Sequence, residues 1–489
     1  MRSIAFKGLK WSSFQQIGVQ ILNYGSVIAL AYWVDPEIHG FFAIASLAAG
    51  LAGVVGAMGL SEIIIKDLDD NFQEKIPSYW SLVLVIAGVL YLLSCVMSLM
   101  VAWFYRDEFT FNEMLNTSLV LSFIAPIGPL RAIMEALHSR RYDFKLISLV
   151  NLSSFFIGII PVFILGYLGY DKLALGGKFL LPHLSYLLLG ILVYRLNFGL
   201  KWDKSIFLRI KKFSTFYSFN NVVNYFLRNI DYIILAKFFS PAILGQYVIA
   251  YKILLFPMKN ITSTITRVGM PILAKLDFKG ATFKMIYFKM IEGVAVITFP
   301  IMVFLAFCSD PIVNLTFNDK YDLLPLMISS LAVVGAIQSI VSPVGMLFYF
   351  KEEMKLMMMT NIFSFTLVAL SIFLSSLSGE ILYVLISYAV TYVFLVMPVS
   401  ILFVYREFNF TFGDCIKAFG PYLLVALISV GAGILPILYF DWGLNLILKL
   451  GLSFILSSLA YIISLVFLDK SNFGPRFYHD YLLRLKLVS

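Results

Sequence analysis

Residues 30–45 read LAYWVDPEIHGFFAIA, and residues 235–250 read LAKFFSPAILGQYVIA. Over the 18 positions that start at Ile28 and Ile233, eight residues are identical, and both copies carry the spacing Pro-x-x-x-Gly (Pro36 and Gly40; Pro241 and Gly245). In each copy an apolar run stops, proline and glycine mark a turn, and a second apolar run begins. A chain that repeats one turn at this separation is expected to repeat the helical hairpin around it.

The runs flanking those turns set the solvent. Of 489 residues, 60% are hydrophobic and 13% charged, and the mean hydropathy is +0.90. Apolar runs of about 20 residues, each enough for a ~30 Å hydrocarbon layer, fill nearly the whole chain and leave no room for a soluble domain. This is the composition of an all-α polytopic membrane protein. The first run begins near Trp11, follows Arg2, Lys7 and Lys10 and lacks a small-residue cleavage site, so it reads as a retained helix rather than a signal peptide. A net charge of +9 would suggest nucleic acid in a soluble protein. Here it concerns which side of the bilayer the cations occupy, and no nucleic-acid partner is expected. The three cysteines (Cys95, Cys308, Cys415) and four histidines (His39, His138, His183, His479) are too scattered for a disulfide framework or a metal site.

Counting runs predicts 14 transmembrane helices, over 12–34, 40–65, 79–104, 115–137, 146–169, 178–197, 214–239, 243–275, 285–308, 323–349, 357–378, 381–405, 420–440 and 444–468. An even number puts both termini on one side. Placing them in the cytoplasm puts most of the 37 Lys and Arg there as well, as the positive-inside rule requires. Six helices separate the two copies of the turn, so the repeated units run in the same direction. That predicts two pseudo-symmetric six-helix lobes about an axis along the membrane normal, with a cavity between them. The expected division is an N-lobe over 1–197, an amphipathic cytoplasmic linker over 198–213, a C-lobe over 214–406, and a last helix pair with a cytoplasmic tail over 407–489. In the linker, NFGLKWDKSIFLRIKKF (197–213), aromatic and aliphatic residues at helical spacing alternate with lysines, as in a helix lying on an anionic leaflet. The tail from Phe473 reads the same way. Prolines inside the runs permit bends, and Pro257 and Pro343 are the candidates for positions that flex.

Two helices carry the unusual polarity. In SFNNVVNYFLRNID, Asn221, Asn224, Arg228 and Asp231 fall at i, i+3, i+7 and i+10 on one helical face. An arginine at mid-membrane costs at least ~2.5 kcal/mol on insertion scales, so this face should meet protein or water. The next run places Lys252, Lys259, Ser263 and Arg267 on one face too. Asp231 and Lys252 sit at similar depths and are placed to neutralise each other. Three cations in a cavity would favour an anionic ligand. Subtracting 205 places Gln16 under Asn221, Asn23 under Arg228, Ser26 under Asp231 and Glu62 under Arg267. The first lobe is therefore polar but nearly uncharged there. Gln16, Gln20 and Asn23, with Tyr24 and Tyr225, suit sugar hydroxyls and rings, and equally suit plain interhelical hydrogen bonding. Arg131 and Glu135, at i and i+4, read as a local ion pair.

Several stretches in order, KGLKWSSFQQIG from Lys7, LAYWVDPEIHG, PLRAIMEALHSRRYDF from Pro129, RNIDYIILAKFFSPAILGQYVIAYKILLFPMKNIT from Arg228 and AIQSIVSPVGMLFY from Ala336, resemble the Wzx-type polysaccharide flippases, in particular their colanic-acid-exporter-like branch. The resemblance spans almost the whole chain. It implies a MATE-like fold within the multidrug/oligosaccharidyl-lipid/polysaccharide superfamily, residence in the bacterial cytoplasmic (inner) membrane, and movement of an undecaprenyl-pyrophosphate-linked oligosaccharide to the outer leaflet. Arg228, Lys252, Lys259 and Arg267 would then attract the pyrophosphate or an acidic sugar. A polysaccharide polymerase and a chain-length regulator are the implied partners. No cofactor is implied beyond coupling to H+ or Na+, which no residue here locates. Glu62 departs from the small residue expected in relatives. The alternatives are a cation-coupled multidrug exporter, which usually wants a membrane carboxylate that the first helix lacks, and a glycan polymerase. A polymerase needs a large outer loop, and the longest one expected here, 309–322, is short.

Overall fold

The computed structural model describes residues 2–56, 61, 64–65, 71–194, 198–317, 320–350, 353–405, 408, 410–439 and 443–470. All regular structure among them is helical. It divides into two compact units, Met1–Val248 and Ile249–Ser489.

The first unit begins with α1 (Arg2–Trp33), followed by α2 (Pro36–Ala45), which has Pro36 at its first turn, where a missing N–H costs nothing. Helix α3 (Leu47–Gly56) continues α2 after a 42° bend, so the stretch predicted as one helix from residue 40 is bent at Ser46. Then come α4 (Phe72–Phe104), α5 (Phe111–Leu121), α6 (Ile124–Arg140), α7 (Phe144–Tyr167), α8 (Asp171–Val193) and α9 (Lys204–Phe238). The prolines at 126 and 129 lie just past the α5–α6 junction. A buried cluster of Phe72, Tyr79, Trp80, Ile133, Tyr186 and Tyr194 ties α4, α6 and α8 together. Because lipid is as apolar as leucine, such contacts hold through close packing rather than through escape from water.

The linker departs from expectation in one respect: its helical part is continuous with the helix that follows. Helix α9 starts at Lys204 and runs unbroken to Phe238, with Asp203 as N-cap accepting from the Ser205 amide at 2.8 Å. Ile206 is buried in the cluster just described, and the Phe198 ring packs on Trp80. The backbone N–H of Lys201 donates to Ser81 Oγ at 2.9 Å. The segment is thus docked on protein along one side, while Leu200, Trp202 and Leu208 stay exposed. The tail from Phe473 lies outside the described residues.

Helix α10 (Pro241–Leu273) carries the chain from the first unit into the second, and neither Pro257 nor Pro271 interrupts it. The rest of the second unit is α11 (Ala281–Phe307), α12 (Ser309–Thr316), α13 (Leu324–Val341), α14 (Val344–Phe350), α15 (Met354–Ser376), α16 (Ile381–Thr391), a π-helical turn over Tyr392–Val396, α17 (Met397–Tyr405), α18 (Phe412–Tyr439) and α19 (Leu446–Lys470). Helix α12 occupies the stretch expected to be the longest outer loop. Pro343 sits in the break between α13 and α14. Helix α11 packs against α13 and α18, with Thr298 and Ser339 hydroxyls 2.9 Å apart and Lys284 Nζ 2.7 Å from Asp414 Oδ2. An aromatic cluster of Phe283, Tyr287, Phe288, Tyr405, Phe408 and Phe410 closes one end.

Eleven helical segments among the described residues are long and apolar enough to cross a membrane, or twelve if the bent α2–α3 pair is one span. Helices α1 and α9, of 32 and 35 residues, are not among them. They carry the amides Gln15, Gln16, Gln20 and Asn23 on α1 and, on α9, the amides Asn220, Asn221 and Asn224 together with Arg228.

Candidate functional site

The repeated turn brings its two copies into contact. A Cβ placed on Gly40 would lie 2.0 Å from the carbonyl oxygen of Pro241, and one placed on Gly245 would lie 1.8 Å from that of Pro36. Only glycine permits this reciprocal approach of α2 and α10. Nearby, Tyr105 Oη donates to the Ile233 carbonyl at 2.9 Å, and Lys237 pairs with Glu108 at 2.7 Å, joining the end of α4 to that of α9.

On α9, Arg228 is exposed, whereas Asp231 is only 5% exposed. The Asp231 carboxylate accepts from Tyr247 Oη at 3.0 Å and from the Tyr232 backbone N–H at 2.9 Å. Its hydrogen bonds are therefore met within the first unit. Tyr247 was not singled out from the sequence, although the repeat held a signal: it aligns with Phe42, just as Asp231 aligns with Ser26. The second copy gains a carboxylate and a hydroxyl together, and they bond to each other. The backbone at Asn221 and Asn224 is helical, but their side chains lie outside the described residues, as does Glu62.

Lys252, Lys259 and Arg267 all lie on the part of α10 that belongs to the second unit, within an 80° arc at 100° per residue. Lys252 is half-buried, and Lys259 and Arg267 are exposed. On α1, Gln16 and Gln20 are half-buried and Asn23 is exposed. Tyr225 takes the structural option of its two readings: its hydroxyl donates to the Leu47 carbonyl at 2.8 Å, with its ring over Gly50.

The Arg131–Glu135 pair forms as expected, Nε to Oε1 at 2.8 Å. The structure adds partners from two further helices. Arg131 donates to Asn151 Oδ1 on α7 and stacks 4.5 Å from the Tyr186 ring centre on α8, while Asn151 Nδ2 donates to Glu135 at 3.1 Å. Close by, His138 stacks on Tyr194 and reaches its carbonyl at 3.2 Å. In the second unit, Glu292 of α11 is 3% exposed, and its Oε2 has no hydrogen-bond partner among the described residues. The sequence reading did not single out Glu292, which stands three residues after Lys289 on the same helix, and its burial was not visible there.

A family model described as polysaccharide biosynthesis protein matches residues 29–325. The teichuronic acid biosynthesis protein TuaB of Bacillus subtilis (strain 168) is 26% identical over 396 residues, covering 78% of this chain and 79% of that protein. The lipopolysaccharide biosynthesis protein WzxC of Escherichia coli (strain K12) is 22% identical over 370 residues, covering 74% of this chain and 73% of that one. Among solved structures, the lipid II flippase MurJ in an inward closed conformation superposes with a TM-score of 0.73 at 16% identity, covering 94% of this chain and 98% of MurJ. An inward-facing multidrug resistance MATE family transporter of the MOP superfamily gives 0.62 at 14% identity, covering 80% and 94%. The fold is of this MurJ and MATE type.

Proposed function

The chain belongs to the polysaccharide biosynthesis protein family, and on that premise we propose that it is a flippase carrying a polyprenyl-pyrophosphate-linked oligosaccharide from the inner to the outer leaflet of the bacterial cytoplasmic membrane. It is a transporter and not an enzyme. Adding the polar helices α1 and α9 to the twelve apolar spans gives fourteen crossings, with both termini cytoplasmic and lobes divided at the linker. The lobes rock about a central cavity, the glycan and pyrophosphate pass through it, and the polyprenyl tail stays in lipid. Coupling to H+ or Na+ and cooperation with a polymerase and a chain-length regulator belong to the same proposal.

The observation that carries this reading is the unequal chemistry of the helices around the two copies of the repeat. Helix α1 offers amides (Gln16, Gln20, Asn23), whereas α9 and α10 offer cations (Arg228, Lys252, Lys259, Arg267). A neutral sugar and an anionic diphosphate ask for those two surfaces, while an apolar drug asks for neither. The test is translocation of lipid-linked glycan into the outer leaflet by Arg228→Ala at normal membrane abundance. A severalfold loss is expected, and unchanged transport removes Arg228 from the mechanism.

A further inference from the structure

Helices α1 and α7 lie side by side and run in the same direction. Three contacts fix their register: Lys145 Nζ lies 5.5 Å from the centre of the Trp11 ring, Gly18 faces Leu152, and Gly166 faces Trp33. An offset of 133 or 134 residues holds in all three. Along this pair lies a groove of about 580 Å³, lined by Ile21 and Leu22 of α1 and by Leu152, Ser153, Phe156 and Ile157 of α7. That volume is within the range of small-molecule sites. Ile21 and Phe156 are 60% and 53% exposed, so the groove opens to the surroundings of the bundle, which at this hydropathy are hydrocarbon.

The groove has a polar end. Lys145 stands seven residues before Leu152, about 10 Å along the helix, with Trp11 beneath its ammonium and Lys10 next in the chain. A cation and an indole at the mouth of an apolar slot match a phosphate head group, its glycerol region and an acyl chain in that order. The position on α1 also says which lipid fits. Trp11, Gly18 and Leu22 fall within about 40° of one another, and Gln16, Gln20 and Asn23 fall on the opposite side of the helix. A lipid seated in the groove is therefore not the one whose head group meets the amide face.

We propose that the α1–α7 groove is a binding site for an anionic phospholipid of the cytoplasmic leaflet, with its phosphate on Lys145 and Lys10 and one acyl chain between Ile21 and Phe156. This rests on the membrane orientation given under the proposed function and not on the cargo. Native mass spectrometry of the purified full chain, titrated separately with dioleoylphosphatidylglycerol, dioleoylphosphatidylcholine and undecaprenyl phosphate, tests it without measuring transport. Phosphatidylglycerol should be retained where phosphatidylcholine is lost. Lys145→Glu should weaken that retention at least about fivefold, because it removes one basic residue at an anionic surface and adds a charge of the same sign as the phosphate. Ser153→Trp should fill the slot and abolish it, while Leu188→Trp, on an exposed face of α8, should leave it intact. Equal retention of both phospholipids, indifference to Lys145→Glu or Ser153→Trp, or preferential retention of undecaprenyl phosphate at the Ser153-sensitive site would each overturn the assignment. Because lipid binding is read directly, its failure leaves the flippase reading standing, and the reverse holds too.

Discussion

Gly40 and Gly245 occupy each other's missing side-chain space. The backbone nitrogen of Gly245 lies 3.1 Å from where a Gly40 Cβ would be, and that of Gly40 lies 3.0 Å from the corresponding point on Gly245. The two copies of the repeated turn therefore meet about a local two-fold relation, backbone to backbone.

Gly40→Ala and Gly245→Ala should each cost on the order of 1–3 kcal/mol or more, because the obstructing atom is a carbonyl oxygen that cannot swing aside. Gly88→Ala and Gly431→Ala, with nothing within 4 Å of the added carbon, should stay within about 1 kcal/mol of wild type. Unfolding in detergent measures all four. Equal stability of Gly40→Ala and Gly88→Ala would mean that the contact does not form in solution.

The Asp231–Tyr247 bond predicts a repeat swap. Tyr247→Phe alone removes a donor from a buried carboxylate and should destabilise by about 1–3 kcal/mol. Adding Asp231→Ser, which reproduces the Ser26 and Phe42 of the first copy, should recover most of that loss. A double variant no better than the sum of the singles would show that the two groups act independently.

Around Arg131, a double-mutant cycle with Glu135→Ala and Asn151→Ala should give a coupling of about 1 kcal/mol. The value is modest because the Arg131 and Glu135 side chains are 34% and 30% exposed, so solvent screens the charges. Additive effects on thermal unfolding would rule out the three-helix network.

Glu292→Gln should raise stability by about 1 kcal/mol or more, since a buried carboxylate with an unpartnered oxygen costs more than an amide of the same shape. Thermal unfolding reads the effect, and a lower unfolding temperature would show that the charged form has a partner in the membrane.

At the linker, the hydrogen bonds from the Ser205 hydroxyl and amide to Asp203 hold its carboxyl below its ordinary value of 3.8. A depressed folded value means the cap is fully effective above the ordinary carboxyl range and is lost as pH falls through the lowered value. Amide exchange at Phe207, whose N–H bonds the Asp203 carbonyl at 3.2 Å, should be faster in Asp203→Ala at neutral pH. The difference between variant and wild type should close in acid.

Much of this molecule was readable in one dimension. Apolar runs placed most helix C-terminal ends to within a few residues, whereas α1, α4, α8 and α18 begin seven to ten residues earlier than the runs predict, the α9 start absorbed the linker and α12 formed in an expected loop. The Arg131–Glu135 pair was legible because i and i+4 share a face whatever surrounds the helix. The repeat announced that two turns were alike.

What the sequence could not determine is which faces meet. A helical period fixes a residue's angle on its own axis, but not the rotation, register and tilt that set its neighbours on other helices. Packing decided that Gly40 would touch Gly245, that Tyr247 would satisfy Asp231, that Asn151 and Tyr186 would enclose Arg131, and that Glu292 would be buried with one carboxylate oxygen lacking a partner among the described residues. In a bilayer, burial of apolar surface selects little among helix partners. The choice falls to close backbone approach and to the need of every buried polar group for a bond, and both exist only in three dimensions.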